Sequence, residues 1–103
     1  MIPNKINILG IPFKVNEYPD FFQSDSIHFG EINYQAGEIK LSQTVPDELK
    51  LQTLIHEWVH GVLFMLGRED IKSDEQLVQG LSIAIYQTFC ILEDHIEMEQ
   101  ETE

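Results

Sequence analysis

The sequence predicts an α+β domain: a small antiparallel sheet packed on a central helix and on a second, C-terminal helix. Three observations carry this. Between Lys5 and Leu41 apolar residues alternate with polar ones, the period of a half-buried strand. From Leu54 to Leu66 the chain is apolar on nearly every side, as in a buried central helix. From Leu77 to Leu92 an apolar stripe returns every three or four residues.

Lys5 to Val15 reads as a hairpin. Ile6 and Ile8 alternate on one arm, Phe13 and Val15 on the other, and Leu9-Gly10-Ile11-Pro12 turns the chain. Pro12 implies an edge position, because it has no N–H to give a neighbouring strand. Tyr18-Pro19-Asp20 is a break, Phe21 and Phe22 are expected to plug one end of the core, and Gln23 to Ser26 is loop-like. A second hairpin runs through Ile27–Tyr34 and Glu38–Leu41, with Gly37 free to take positive φ in the turn. Thr44 is the expected N-cap of the central helix, with Pro46 and Asp47 in its first turn and Gly67 as its stop. Ser73 and Gln76 have capping-box form for the next helix. Its stripe, Leu77, Val78, Leu81, Ala84, Ile85, Thr88, Phe89 and Leu92, is expected to be core. Residues 1–92 form one domain in this reading, and 93–103 an acidic, frayed tail.

The stretch Leu54-Ile55-His56-Glu57-Trp58-Val59-His60-Gly61 reads H-E-x-x-H. Positions i and i+4 of a helix lie one turn apart on one face, so His56 and His60 are placed to hold one metal. Zinc suits two neutral imidazoles. Glu57 lies beside the pair, where its carboxylate reaches a metal-bound water rather than the metal and serves as general base. Against a solvated surface pair stands the apolar surround of Leu54, Ile55, Trp58, Val59, Val62 and Leu63, in which unpaired polar groups are costly.

The 103 residues carry a net charge of −12, half of it after Leu92, on Glu93, Asp94, Glu97, Glu99, Glu101 and Glu103. Such acidity argues against a nucleic-acid partner, since phosphate binding needs clustered Lys and Arg. No run approaches the length of a membrane span. The single cysteine, Cys90, sits among Phe89, Ile91 and Leu92 and reads as a small buried hydrophobe. With no apolar N-terminal signal segment, the expectation is a cytoplasmic protein.

A catalytic zinc usually has three protein ligands. Leu63 and Leu66 stand where the metzincin extension needs glycine and histidine. Glu69, Asp70, Asp74, Glu75 and His95 therefore remain as candidates, while Gln79, a turn further on, is a poor zinc ligand. Asp74 and Glu75 both fall at the start of the second helix, from which a carboxylate can face back on the metal if the helices pack antiparallel.

The His56-Glu57-x-x-His60 helix, its short connection and the helix Glu75-Gln76-Leu77-Val78-Gln79-Gly80-Leu81 to Ile85-Tyr86-Gln87 resemble the gluzincin metallopeptidases. They look most like the small ImmA/IrrE-like and minigluzincin proteins of bacteria, phages and mobile elements. The resemblance covers roughly residues 5 to 92. It implies a minimal zincin-like fold, Glu75 as third zinc ligand and hydrolysis of peptide bonds in an intracellular, regulatory protein. It also implies a cationic or phenolic group near the substrate oxyanion. His28, Tyr34 and His95 are the weak candidates for that role, and Tyr86 lies too far along its helix. The competing reading is a non-catalytic, zinc-stabilised interaction module derived from a metallopeptidase.

Overall fold

The computed structural model describes the backbone of residues 2–19, 22–23, 26–27, 29–68, 70 and 74–101, and side chains of these through 94, apart from 22–23 and 26–27. The expectations for Phe21, Phe22, His28, Glu69, Ser73 and the side chain of His95 lie outside the described residues. The chain is α+β. Strands β1 (Lys5–Ile8), β2 (Ile11–Tyr18), β3 (Phe22–Gln23), β4 (Ser26–Ile27), β5 (Gly30–Asn33) and β6 (Glu38–Ser42) precede helices α1 (Asp47–Met65) and α2 (Glu75–Glu101). Four strands form one sheet in the order β1-β2-β6-β5, and β3 pairs with β4 separately.

Both expected hairpins form, but the second starts only at Gly30: Gln23 and Ser26, expected in a loop, and Ile27 belong to the separate β3–β4 pair, Phe22 opposite Ile27. Leu9 and Gly10 join β1 to β2 with φ of 49° and 88°. Two successive positive φ values give the tight turn whose twist matches antiparallel strands. Tyr34 to Gly37 joins β5 to β6, with the Ala36 amide donating to Asn33 Oδ1 at 3.0 Å. The pairing between the hairpins was not expected: β2 and β6 run parallel, Lys14 opposite Glu38 through Tyr18 opposite Ser42. Period-two alternation identifies strands and inward faces but is silent on the direction of a non-consecutive neighbour.

Pro12 is correspondingly on an interior strand, not an edge. It lies before Lys14, the first residue of β2 paired to β6, so its missing N–H faces no acceptor. The edges are β1 and β5.

Ile8, Phe13, Val15, Ile39 and Leu41 from the sheet meet Leu54 of α1 in the core, with Ile32, Leu51, Trp58 and Val62 packed around it. Three contacts fix α1 on the sheet. The Trp58 indole N–H donates to the Asn7 carbonyl at 2.9 Å. The nearly buried Lys50 ammonium reaches Glu17 at 2.7 Å on β2. Gly61 lets the helix press so close that a Cβ there would stand 2.6 Å from Ile8 Cδ1.

The helix ends differ from expectation at the start and agree at the finish. Pro46, not Thr44, is the N-cap of α1, without a side-chain cap bond; the Thr44 hydroxyl instead meets Ser42 Oγ at 3.1 Å. At the other end Gly67, with φ of 72°, closes a Schellman motif: its amide donates to Phe64 and that of Arg68 to Leu63. Asp74 caps α2, accepting the Leu77 amide at 3.1 Å.

The stripe on α2 is not core. Val78 and Ser82 are buried, but Leu77, Leu81, Ile85, Phe89 and Leu92 are all more than a third exposed. The reason is layering. α1 lies between the sheet and α2, and α2 packs on α1 alone. The backbone of α2 also continues through the acidic segment as far as Glu101, where a frayed tail was expected. Among the described residues no helix is long and apolar enough to cross a membrane.

Candidate metal centre

His56 and His60 project from one face of α1, with ring centroids 4.9 Å apart and the rings tilted edge to face. The first turn of α2 crosses that face and brings Glu75 to both. Glu75 Oε2 lies 3.2 Å from His56 Nε2, and Oε1 lies 3.0 Å from His60 Nε2. One ligand atom from each of His56, His60 and Glu75 falls within a 4.8 Å group, compatible with a metal site.

The other ring nitrogen of His56 is also engaged. Its Nδ1 is 2.8 Å from Gln79 Oε1, one turn beyond Glu75 on α2. A glutamine oxygen accepts, so in a neutral His56 the proton belongs on Nδ1, and Nε2, which faces the Glu75 carboxylate, is the nitrogen left for a metal. Two lone-pair atoms so placed repel unless a proton or a cation lies between them. The donor set therefore fits a cation: two imidazole nitrogens and a carboxylate, with one imidazole oriented by a hydrogen bond through its other nitrogen.

Glu57 does not join the group. Its carboxyl is raised from 4.5 to about 7, first by burial and then by the negative charges of Glu75 and Glu31, with His56 opposing. The Tyr34 phenol is raised as well, by burial and then by the Glu57 charge. The Tyr34 ring packs on Phe64 at 4.0 Å between centroids. Glu57 is thus coupled electrostatically to the His56–Glu75 side and, through Glu31 and Tyr34, to the β5 side of the molecule.

A cleft of about 310 Å³ opens beside His56 and Glu57, walled by Phe29 and Gly30 at the start of β5, Thr53 of α1, and Gln79, Ser82 and Ile83 of α2. Gly30 permits this closeness, since a Cβ there would meet Thr53 Cγ2 at 2.6 Å and the Lys40 carbonyl at 2.9 Å.

Of the candidates for a third ligand, Glu75 is at the histidines. Asp74 caps its helix, and Asp70 pairs with Arg68 through two contacts of 3.2 Å. Tyr86 is remote from the group, its phenol raised by a hydrogen bond with Cys90 and by burial. Gln79 and Ser82 were not singled out as site residues from sequence. The available signal was spacing, since 79 follows 75 by one helical turn and shares its face. Comparisons with family models, with curated proteins and with solved structures found no match to this chain.

Proposed function

We propose that this protein is a zinc-dependent metallopeptidase of the gluzincin type, with His56, His60 and Glu75 as metal ligands and Glu57 as general base. The observation that carries the reading is the convergence of His56, His60 and Glu75 while Glu57, one residue from His56, stays out of the group. Glu75 presents Oε2 to His56 at 3.2 Å and Oε1 to His60 at 3.0 Å, and one ligand atom from each of the three residues falls within 4.8 Å of the others, a group that a rotation of the exposed Glu75 carboxylate can draw around a single ion. Two nitrogens and one carboxylate also form the ligand set of a peptidase zinc with one position left open.

A zinc ion held there supplies a Lewis acid that acidifies water and polarises a carbonyl. The chain does the rest. An extended peptide pairs with the outer edge of β5, which has no strand partner among the described residues, and this sets its scissile carbonyl over the cleft. Glu57 takes a proton from the attacking water as its oxygen bonds to the carbonyl carbon. It returns that proton to the amine nitrogen as the C–N bond breaks. Ile83 and Phe29 offer an apolar wall to a substrate side chain.

Glu57→Gln in zinc-loaded protein is the test. Zinc content should be unchanged, and hydrolysis of a mixed peptide library should fall by about 10²-fold or more. Loss of zinc equal to that of His56→Ala makes Glu57 a ligand and overturns the mechanism. No hydrolysis by the unaltered zinc-loaded protein favours the non-catalytic module.

A further inference from the structure

α2 carries more apolar surface than its one neighbour covers. Phe89 is 52% exposed and Leu92 57%. On the side of the α1–α2 seam turned away from His56, His60 and Glu75 lies a trough of about 580 Å³. Leu51, Ile55 and Trp58 of α1 and Ile85, Phe89 and Cys90 of α2 line it. Asp47, Glu48 and Glu93 stand along it, and among the described residues no lysine or arginine does. Contiguous apolar surface of this kind with a charged border marks a docking site.

We propose that the trough binds an amphipathic helix of a partner protein, with its apolar face on Ile55, Trp58 and Phe89 and its Lys or Arg residues against Asp47, Glu48 and Glu93. Dimensions and charge argue for this occupant. From Asp47 to Trp58 the trough extends roughly 16 Å along α1, the length of about three turns of a docked helix. Three turns present anchors at i, i+3 or i+4, and i+7, the spacing of helix-in-groove recognition. The border is acidic on both walls, and α2 has no lysine or arginine from Glu75 to Glu101. A second copy, with a net charge of −12, would set like charges against each other, and so would an anionic membrane. A basic helix meets complementary charge along both edges.

Trp58 is the only tryptophan of the chain and lines the trough, so its emission reports occupancy whether or not metal is bound. The probe is a Trp-free peptide of about 18 residues with Leu and Lys at helical spacing, compared with the same peptide carrying Glu in place of Lys. The Lys peptide should shift Trp58 emission to the blue and saturate, with affinity falling about tenfold or more between about 50 and about 500 mM salt. The Glu peptide should do neither. Glu48→Lys with Glu93→Lys should reverse the preference, and Phe89→Ser should weaken the Lys peptide about tenfold or more. All these positions are exposed, and thermal melting verifies that the variants fold. Equal binding of both peptides, or no emission change with either, overturns the proposal. So does a concentration-dependent dimer in sedimentation that Phe89→Ser abolishes, since a second copy then covers the trough. None of these readouts depends on zinc or on hydrolysis.

Discussion

Gln79 Oε1 lies 2.8 Å from His56 Nδ1, a contact in which the neutral imidazole donates and keeps Nε2 for a metal. Fixing the tautomer and ring plane in advance removes a cost that binding otherwise bears. Gln79→Leu should therefore weaken zinc binding by about 10- to 100-fold without removing any ligand. Competition with a chromogenic chelator reads the change. Unaltered affinity would show that His56 is oriented by its packing on α1 alone.

Glu75 and Asp74 are adjacent, yet their substitution should have opposite signatures. The Glu75 side chain is 68% exposed, against 20% and 12% for His56 and His60, so Glu75→Ala should lose metal affinity and leave the metal-free fold nearly as stable. Asp74→Ala removes the N-cap bond to Leu77 and should cost about 1 kcal/mol of stability, with little effect on the metal. Chelator competition and thermal melts of both variants in EDTA separate the two. Similar small losses of affinity in both would remove Glu75 from the site.

Glu57 makes the metal-free fold sensitive to pH. Its carboxyl is raised from 4.5 to about 7, chiefly by burial. A carboxyl that holds its proton more tightly when folded stabilises the fold fully below the unfolded value and loses that contribution as pH rises through the folded one. The stabilisation lost is at most roughly 3 kcal/mol. Glu57→Gln abolishes the ionisation. Measured in EDTA, its melting temperature should match the native protein's below about pH 4.5 and exceed it increasingly up to about pH 7. A difference that stays flat across this window would place the Glu57 carboxylate in water.

Gly61 should be intolerant of a methyl group. A Cβ would stand 2.6 Å from Ile8 Cδ1 and 3.1 Å from Ile32 Cδ1, and Ile8 is fully buried, with little room to move. Gly61→Ala gains about 1 kcal/mol of helix propensity, but overpacking costs about 1–3 kcal/mol. The expected net result is a lower midpoint in urea. A midpoint equal to or above the native one would mean that both isoleucines swing aside freely.

The elements were legible because each is written in local periodicity. Alternation at Ile6 and Ile8, Phe13 and Val15, and Ile39 and Leu41 marks the strands and their inward faces. Gly10 and Gly67 mark a turn and a helix end. The H-E-x-x-H spacing puts His56 and His60 on one face whatever else the chain does, because 3.6 residues per turn fixes that geometry. Thr44 misled because its hydroxyl turns to Ser42, a choice made by the β6 exit and not by the helix behind it.

What lies between elements was decided by the tertiary structure. The parallel pairing of β2 with β6 leaves Pro12 on an interior strand, and no residue pattern encodes the direction of a partner so far along the chain. The stripe on α2 reads as core because helical periodicity reports an apolar face, not whether anything covers it. With α1 between the sheet and α2, only Val78 and Ser82 of its described side chains are buried, and Phe89 and Leu92 remain exposed. Glu75 and Gln79 meet His56 only because α2 crosses α1 at one height, a distance that depends on packing rather than spacing. The sequence by itself determined the strands, the helices and the histidine pair, all set by interactions within a few residues. The third ligand group, the partner of His56 and the uncovered trough depend on contacts between residues some fifteen to forty-five apart in sequence, which only the packed chain brings together.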